Sequence, residues 1–157
     1  MYNPLKILNK HEKQEIENKL KNQFGIKSIS GILLKRGAER IFLYQGEFTK
    51  QEIKKLDYMK INVERVGVYF CKFQNNEIRL SIEGTQILKD QITKNIFELN
   101  KEQAETWMKG GELNIKTGVK GFVIMKYKED LLGCGKASEE KITNFIPKNR
   151  RLKEKSN

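Results

Sequence analysis

Between residues 63 and 82 the chain spells out an antiparallel hairpin. Residues 63–73 form a mostly apolar run, Gln74-Asn75-Asn76 supplies turn residues, and Ile78, Leu80 and Ile82 then alternate with Glu77, Arg79 and Ser81. A period of two sends alternate side chains to opposite faces, so the second strand has one buried and one wet face. A chain with this hairpin near its middle is committed to an antiparallel sheet. The preceding residues supply partners for it. Lys10–Phe24 reads as a helix, because Ile16, Leu20 and Phe24 recur on one face and Gly25 provides a stop. Residues 28–34 and 39–45 read as two strands joined by a Lys35-Arg36-Gly37 turn, with Ile41 and Leu43 alternating with Arg40, Phe42 and Tyr44. Thr49-x-x-Glu52 fits a capping box for a second helix, with Ile53 and Leu56 on its buried side. Gly84 breaks the hairpin's second strand, and a short helix is expected near residues 85–89.

The second half has a different rhythm. Residues 95–99 suggest a short strand. Asn100 caps a helix with Gln103 at its third position, Ala104, Trp107 and Met108 supply apolar positions, and Gly110-Gly111 ends it. After a loop over 112–120, Gly121–Tyr127 reads as a clear strand. A tight segment over 131–136 follows Asp130. Residues 144–148 should be extended, since Pro147 disfavours a helical Ile146. Short strands with glycine turns around one small helix predict a barrel-like domain. The expected fold is α+β: an antiparallel sheet with helices over residues 1–90, then a small β-barrel with one helix over residues 93–155.

Composition excludes much chemistry. The apolar fraction of 38% is enough for a core. No stretch approaches the ~18 apolar residues of a membrane span, and the first ten residues lack a signal-peptide core, so a cytoplasmic protein without membrane contact is expected. His11 is the only histidine and sits in a charged helical run, which argues against Ser-His-Asp or Cys-His catalysis. Cys71 and Cys134 are far apart and form no metal-type spacing, so buried reduced thiols are expected, with no disulfide, metal or cofactor. Glu12, Glu15 and Glu17 lie among lysines and read as a solvated helix face.

The net charge is +11. An excess of this size is a statement about partners: nucleic acid, an anionic surface or an acidic protein. Residues 1–90 hold 17 Lys and Arg against 11 Asp and Glu, and residues 91–157 hold 14 against 9. Within the latter, residues 141–157 hold six against one, so the tail carries the whole excess of its half. Such a cluster is an electrostatic footprint for phosphate. Phe145, Ile146 and Pro147 would anchor the segment and hold Lys148, Arg150, Arg151 and Lys153 on a defined surface. The bland alternative is a solvated tail.

Gly133-Cys134-Gly135-Lys136 invites a phosphate-loop reading, but Asp130 and Ala137 stand where the motif needs Gly and Ser or Thr. A dinucleotide fingerprint fails because Ser138 replaces its third glycine. A tight backbone segment, or a close approach of another group, is the better reading. Cys134 between glycines could be an exposed nucleophile activated by Lys136, though no histidine is near. Trp107 could stack on a base, but a lone Trp on a small helix is more often core.

Three segments together resemble a PUA domain: Met108-Lys109-Gly110-Gly111, Gly121–Tyr127, and Leu132-Gly133-Cys134-Gly135-Lys136. The ending Asn144-Phe145-Ile146-Pro147-Lys148-Asn149-Arg150-Arg151 looks like the N-x-I-P-K-x-R-R close of archaeal PUA proteins. Upstream, Gly67-Val68-Tyr69-Phe70-Cys71-Lys72-Phe73 and Ile78-Arg79-Leu80-Ser81 resemble the N-terminal α/β domain of the Nip-family large-subunit ribosome biogenesis factor. This resemblance implies pre-ribosomal RNA binding without catalysis, a C-terminal PUA pseudo-barrel, and ribosome-assembly proteins as partners of the N-terminal domain. A monomer is expected. RNA contact is then expected at Lys148, Arg150, Arg151 and Lys153, with Lys109, Lys136, Lys141 and Asn144 around them. The loop over 112–120 looks short for the family, which leaves any partner surface there in doubt. A second resemblance is to the PUA-type appendage of Nop/Sun-type RNA cytosine methyltransferases. It implies an RNA-binding accessory to an RNA-modifying enzyme, with tRNA as an alternative to rRNA. A third reading is a protein-interaction adaptor with a basic surface.

Overall fold

The computed structural model describes residues 5–59 and 67–153. The predicted strand start at residues 63–66, and Glu154 and Lys155 of the tail, lie outside the described residues. The fold is α+β, as the pattern implies. A five-stranded antiparallel sheet has the order β1 (Leu5–Ile7), β2 (Ile32–Arg36), β3 (Arg40–Tyr44), β4 (Val68–Gln74) and β5 (Glu77–Leu80). A four-stranded sheet follows, in the order β6 (Ile96–Glu98), β7 (Gly121–Tyr127), β8 (Asp130–Ala137) and β9 (Ile142–Asn144).

Two helices cover opposite faces of the first sheet. Helix α1 (Lys10–Phe24) starts at Asn9, whose side chain accepts from the Glu12 amide while Glu12 accepts from the Asn9 amide. It buries Ile16, Leu20 and Phe24 against Leu33, Ile41 and Leu43, and it stops at Gly25, in the left-handed region at φ 79°. Helix α2 (Lys50–Tyr58) starts with the expected Thr49–Glu52 capping box and buries Ile53 against Leu34, Phe42 and Tyr44. Strand β3 is therefore buried on both faces, not on one. That is why its run is apolar almost throughout and its alternation is weak.

The sequence placed the first hairpin too early. Residues 28–31 are outside the strand, and the turn falls at residues 37–39. Ile29 is held instead by its amide donating to the Glu17 carboxylate at 2.7 Å, so Glu17 is a clamp and not a solvated residue. The second hairpin turns at Asn75 and Asn76, with φ of 52° and 62°, the left-handed pair that a two-residue hairpin turn needs.

A bulge in β4 shapes the centre of the molecule. Cys71 lies opposite Ile41 and Tyr69 opposite Phe42, which leaves Phe70 as the extra residue. Phe70 and Cys71 both enter the same core cluster. The Phe70 carbonyl accepts from the Ser81 amide at 2.9 Å, turning the chain out of β5 into helix α3 (Ile82–Leu88). Ser81 caps this helix, so it begins at Ile82, and Gly84 lies inside it instead of before it. Gly84 is there for space: a Cβ at this position would stand 2.3 Å from the Phe70 oxygen.

In the second sheet β6 runs parallel to β7, and helix α4 (Lys101–Met108) forms part of the crossover that a parallel pair requires. The Asn100–Gln103 capping box is present, and Ala104 and Trp107 are buried. Residues 131–136 are not a tight loop but the middle of β8. Its register against β7 slips near Gly133, whose φ is 103°. A bridge between Leu113 and Ile142 draws the crossover loop onto β9, which helps close the pseudo-barrel. The two halves share a core, for Ile124 and Cys134 of the second sheet lie in the cluster of α1 and the first sheet.

Candidate nucleic-acid interface

Strand pairing assembles a row of cations that the linear sequence hides. Arg40 on β3 lies opposite Lys72 on β4, and Lys72 lies opposite Arg79 on β5. Like charges directly across a ladder destabilise a sheet unless something negative or polarisable compensates. Here Lys72 is 3.3 Å from the Glu39 carboxylate, the Arg40 guanidinium is 5.5 Å from the Tyr69 ring centroid, and that of Arg79 is 4.3 Å from the Phe145 centroid. All three cations line a cleft of about 230 Å³ at the seam of the two halves. Its other wall includes Phe145, Ile146, Pro147 and Arg150, so the C-terminal segment closes over the row. Glu83 is the one carboxylate in the lining, and it pairs with Arg150.

The C-terminal segment is docked, as its apolar residues imply. Ile146 is buried with Trp107 and Ile142. Asn144 fixes the turn out of β9: its amide group donates to the carbonyls of Trp107 at 2.7 Å and Gly111 at 3.0 Å, and its oxygen accepts from the Ile146 amide at 2.7 Å. A helical turn over Lys148–Arg150 follows, and the Leu152 amide then donates to the Met108 carbonyl at 2.8 Å. Arg151 lies across Gly110 and donates from Nε to the Ile146 carbonyl at 2.9 Å.

The residues expected to bind RNA thus separate. Arg150 faces the cleft, and Lys148 and Lys153 are exposed beside it in the chain. Asn144 and Arg151 spend hydrogen bonds on the docking itself. Lys136 and Lys141 lie elsewhere, on a shallow hollow shared with Glu77, Glu139 and Glu140. Lys136 is 3.8 Å from Glu77 and 5.3 Å from the Phe122 centroid, and Lys141 is 2.7 Å from Glu112. Lys109 is exposed at the end of α4. Sequence reasoning missed Arg40, Lys72 and Arg79. A signal was present: a two-residue turn at Asn75-Asn76 forces Lys72 opposite Arg79 by counting alone.

Other readings are settled by burial. Cys134 is not an exposed nucleophile. Burial pushes its thiol up to about 12, against the opposite pull of the Leu80 backbone and of Arg79. Burial raises the Cys71 thiol as well. Both thiols are free, and they are unreactive in this state. Residues 134–136 are paired ladder within β8 and not a loop that could cradle a phosphate. Gly135 serves the core instead, since a Cβ there would lie 2.6 Å from the Trp107 ring. Trp107 is wholly buried and presents no face on which a base could stack.

Residues 94–152, from just before β6 to the docked Leu152, match the family described as the methyltransferase RsmF PUA domain. The chain is 25% identical over 141 residues to the ribosomal RNA small subunit methyltransferase F of Psychromonas ingrahamii, covering 88% of this chain and 29% of that protein. It is 28% identical over 96 residues to the protein of the same name from Vibrio campbellii, covering 57% of this chain and 20% of the relative. The chain therefore spans less than a third of the length of the curated relatives it matches. These matches fall on the methyltransferase appendage, the second of the two resemblances, and not on the ribosome biogenesis factor. Residues 94–152 of this chain are a PUA domain, similar to the one carried by that RNA methyltransferase family.

Proposed function

We propose that this chain is a non-catalytic RNA-binding module that holds ribosomal RNA for a base-modifying methyltransferase. The observation that carries the reading is the row of Arg40, Lys72 and Arg79, faced across one cleft by Arg150. Four cations from separate elements converge on a concave surface with a single carboxylate in it. A polyanion entering the cleft meets these charges, and the exposed Lys148 and Lys153 lie near Arg150 in the chain. A non-catalytic role is supported by the exposed position of the only histidine and by the burial of both thiols. Ribosomal RNA is favoured because the named relatives act on it.

Crosslinking in cells followed by sequencing of the bound RNA tests this directly. Recovery of mainly small-subunit rRNA is expected. Recovery of mainly tRNA would redirect the module to another modifying enzyme, and recovery of no RNA would leave the adaptor reading. In solution, affinity for RNA should fall steeply with salt, with a log–log slope of about −0.7 to −0.9 per phosphate contacted.

A further inference from the structure

The lining of the cleft is not purely ionic. Phe145 packs against Phe122 with ring centroids 6.2 Å apart, and Arg79 lies over Phe145 at 4.3 Å. Phe122, on β7, thus supports Phe145 from the side at an interplanar angle of 54°, and Phe145 supports Arg79 in the cleft wall. On the same wall, Arg40 lies over Tyr69. Binding phosphate alone requires no such backing, because a lysine's point charge serves it. A guanidinium held on an aromatic ring keeps its position and offers its other face to a planar group. Size adds a limit. At about 230 Å³ the cleft is smaller than the ~300–1,000 Å³ of ordinary small-molecule sites. It admits one base, with the adjoining sugar and phosphates at its mouth, and no helix.

Building on the RNA-binding reading above, we propose that the cleft holds one unpaired nucleotide of an RNA strand, its base stacked on the Arg79–Phe145 pair and its phosphates met by Arg40, Lys72 and Arg150. Bases inside a duplex are already stacked on their neighbours and cannot enter. The site therefore selects single-stranded segments, bulges or loops, where bases can be splayed onto protein side chains. It also needs both halves of the chain, since Phe122 and Phe145 come from the PUA domain and Arg40, Lys72 and Arg79 come from the first sheet.

The test is fluorescence anisotropy of the full chain with an eight-nucleotide RNA, either single-stranded or annealed to its complement. A parallel set carries one 2-aminopurine at each position in turn. The single strand should bind roughly tenfold more tightly than the duplex, the scale of one stacked base. One position, or two adjacent ones, should change fluorescence on binding. Arg79→Lys keeps the charge and removes the planar face. It should lose roughly that tenfold preference and the fluorescence change, while the salt slope stays the same. Equal affinity of wild-type chain for strand and duplex, or an intact preference in Arg79→Lys, overturns the single-nucleotide site and leaves RNA binding standing. Failure to bind either RNA overturns the RNA-binding reading and this site together.

Discussion

The C-terminal segment holds six Lys and Arg within residues 141–157, whereas Arg40, Lys72 and Arg79 are scattered across forty residues of the first half. Folding reverses the picture. Within the segment, Lys141 turns to Glu112, Arg151 bonds to the Ile146 carbonyl, and Arg150 remains at the cleft, paired with Glu83. In the first sheet, pairing places the three scattered cations side by side on one surface. Charge density along a chain and charge density in space are thus different quantities. A segment that docks uses part of its polar chemistry to do so, while a strand ladder that brings distant cations together needs Glu39, Tyr69 and Phe145 beside them to offset their repulsion.

The comparison can be broken most severely by undocking the tail. Trp107→Ala empties the core beneath Ile146 and should cost about 3–5 kcal/mol in urea unfolding, with early exchange of the Leu152 amide. Trp107→Phe should cost far less, for the indole N–H it removes has no partner among the described residues. If both variants cost the same, packing is not what holds the tail.

Next in size is the seam between the regions. Gly→Ala inside a helix normally stabilises by about 1 kcal/mol. At Gly84 the sign should reverse, with a loss of about 1–3 kcal/mol, because the new Cβ meets the Phe70 carbonyl. A rise in midpoint would show that β4 and α3 are free to separate.

RNA binding then separates the two charge sets. Arg40→Ala with Arg79→Ala should weaken RNA binding tenfold or more and flatten the salt slope by ~0.7–0.9 per lost phosphate contact. Arg151→Ala should lower stability through the lost Ile146 bond, with the slope unaltered. The opposite pattern would return the site to the tail.

The smallest effect probes the join. Glu83→Gln frees Arg150 from its carboxylate and removes the one negative charge in the cleft lining. An exposed pair of this kind is worth about 0.2–1 kcal/mol, so RNA affinity should rise a fewfold at low salt. A fall would mean that Glu83 positions Arg150 for its ligand.

Local patterns were readable from the residues alone wherever the physics is local. The three capping boxes at Asn9, Thr49 and Asn100 each involve a side chain and an amide three residues away, and two of them, at Thr49 and Asn100, are read from that spacing directly. The α1 stripe ends at Gly25, strand β7 runs from Gly121 to Tyr127, and the anchored tail follows from Pro147 and the apolar pair before it. Strand β1 was not readable, because three residues carry no period and are ordered by pairing with β2 and by contact with α2. Nor was the burial of β3 on both faces, which depends on α2 returning over the sheet. By itself the sequence determined an α+β chain with a basic, docked segment after residue 144. Only the tertiary structure decided which cations share a surface, because that depends on the register of three strands, on the Phe70 bulge that turns the chain into α3, and on a tail folding back across the seam.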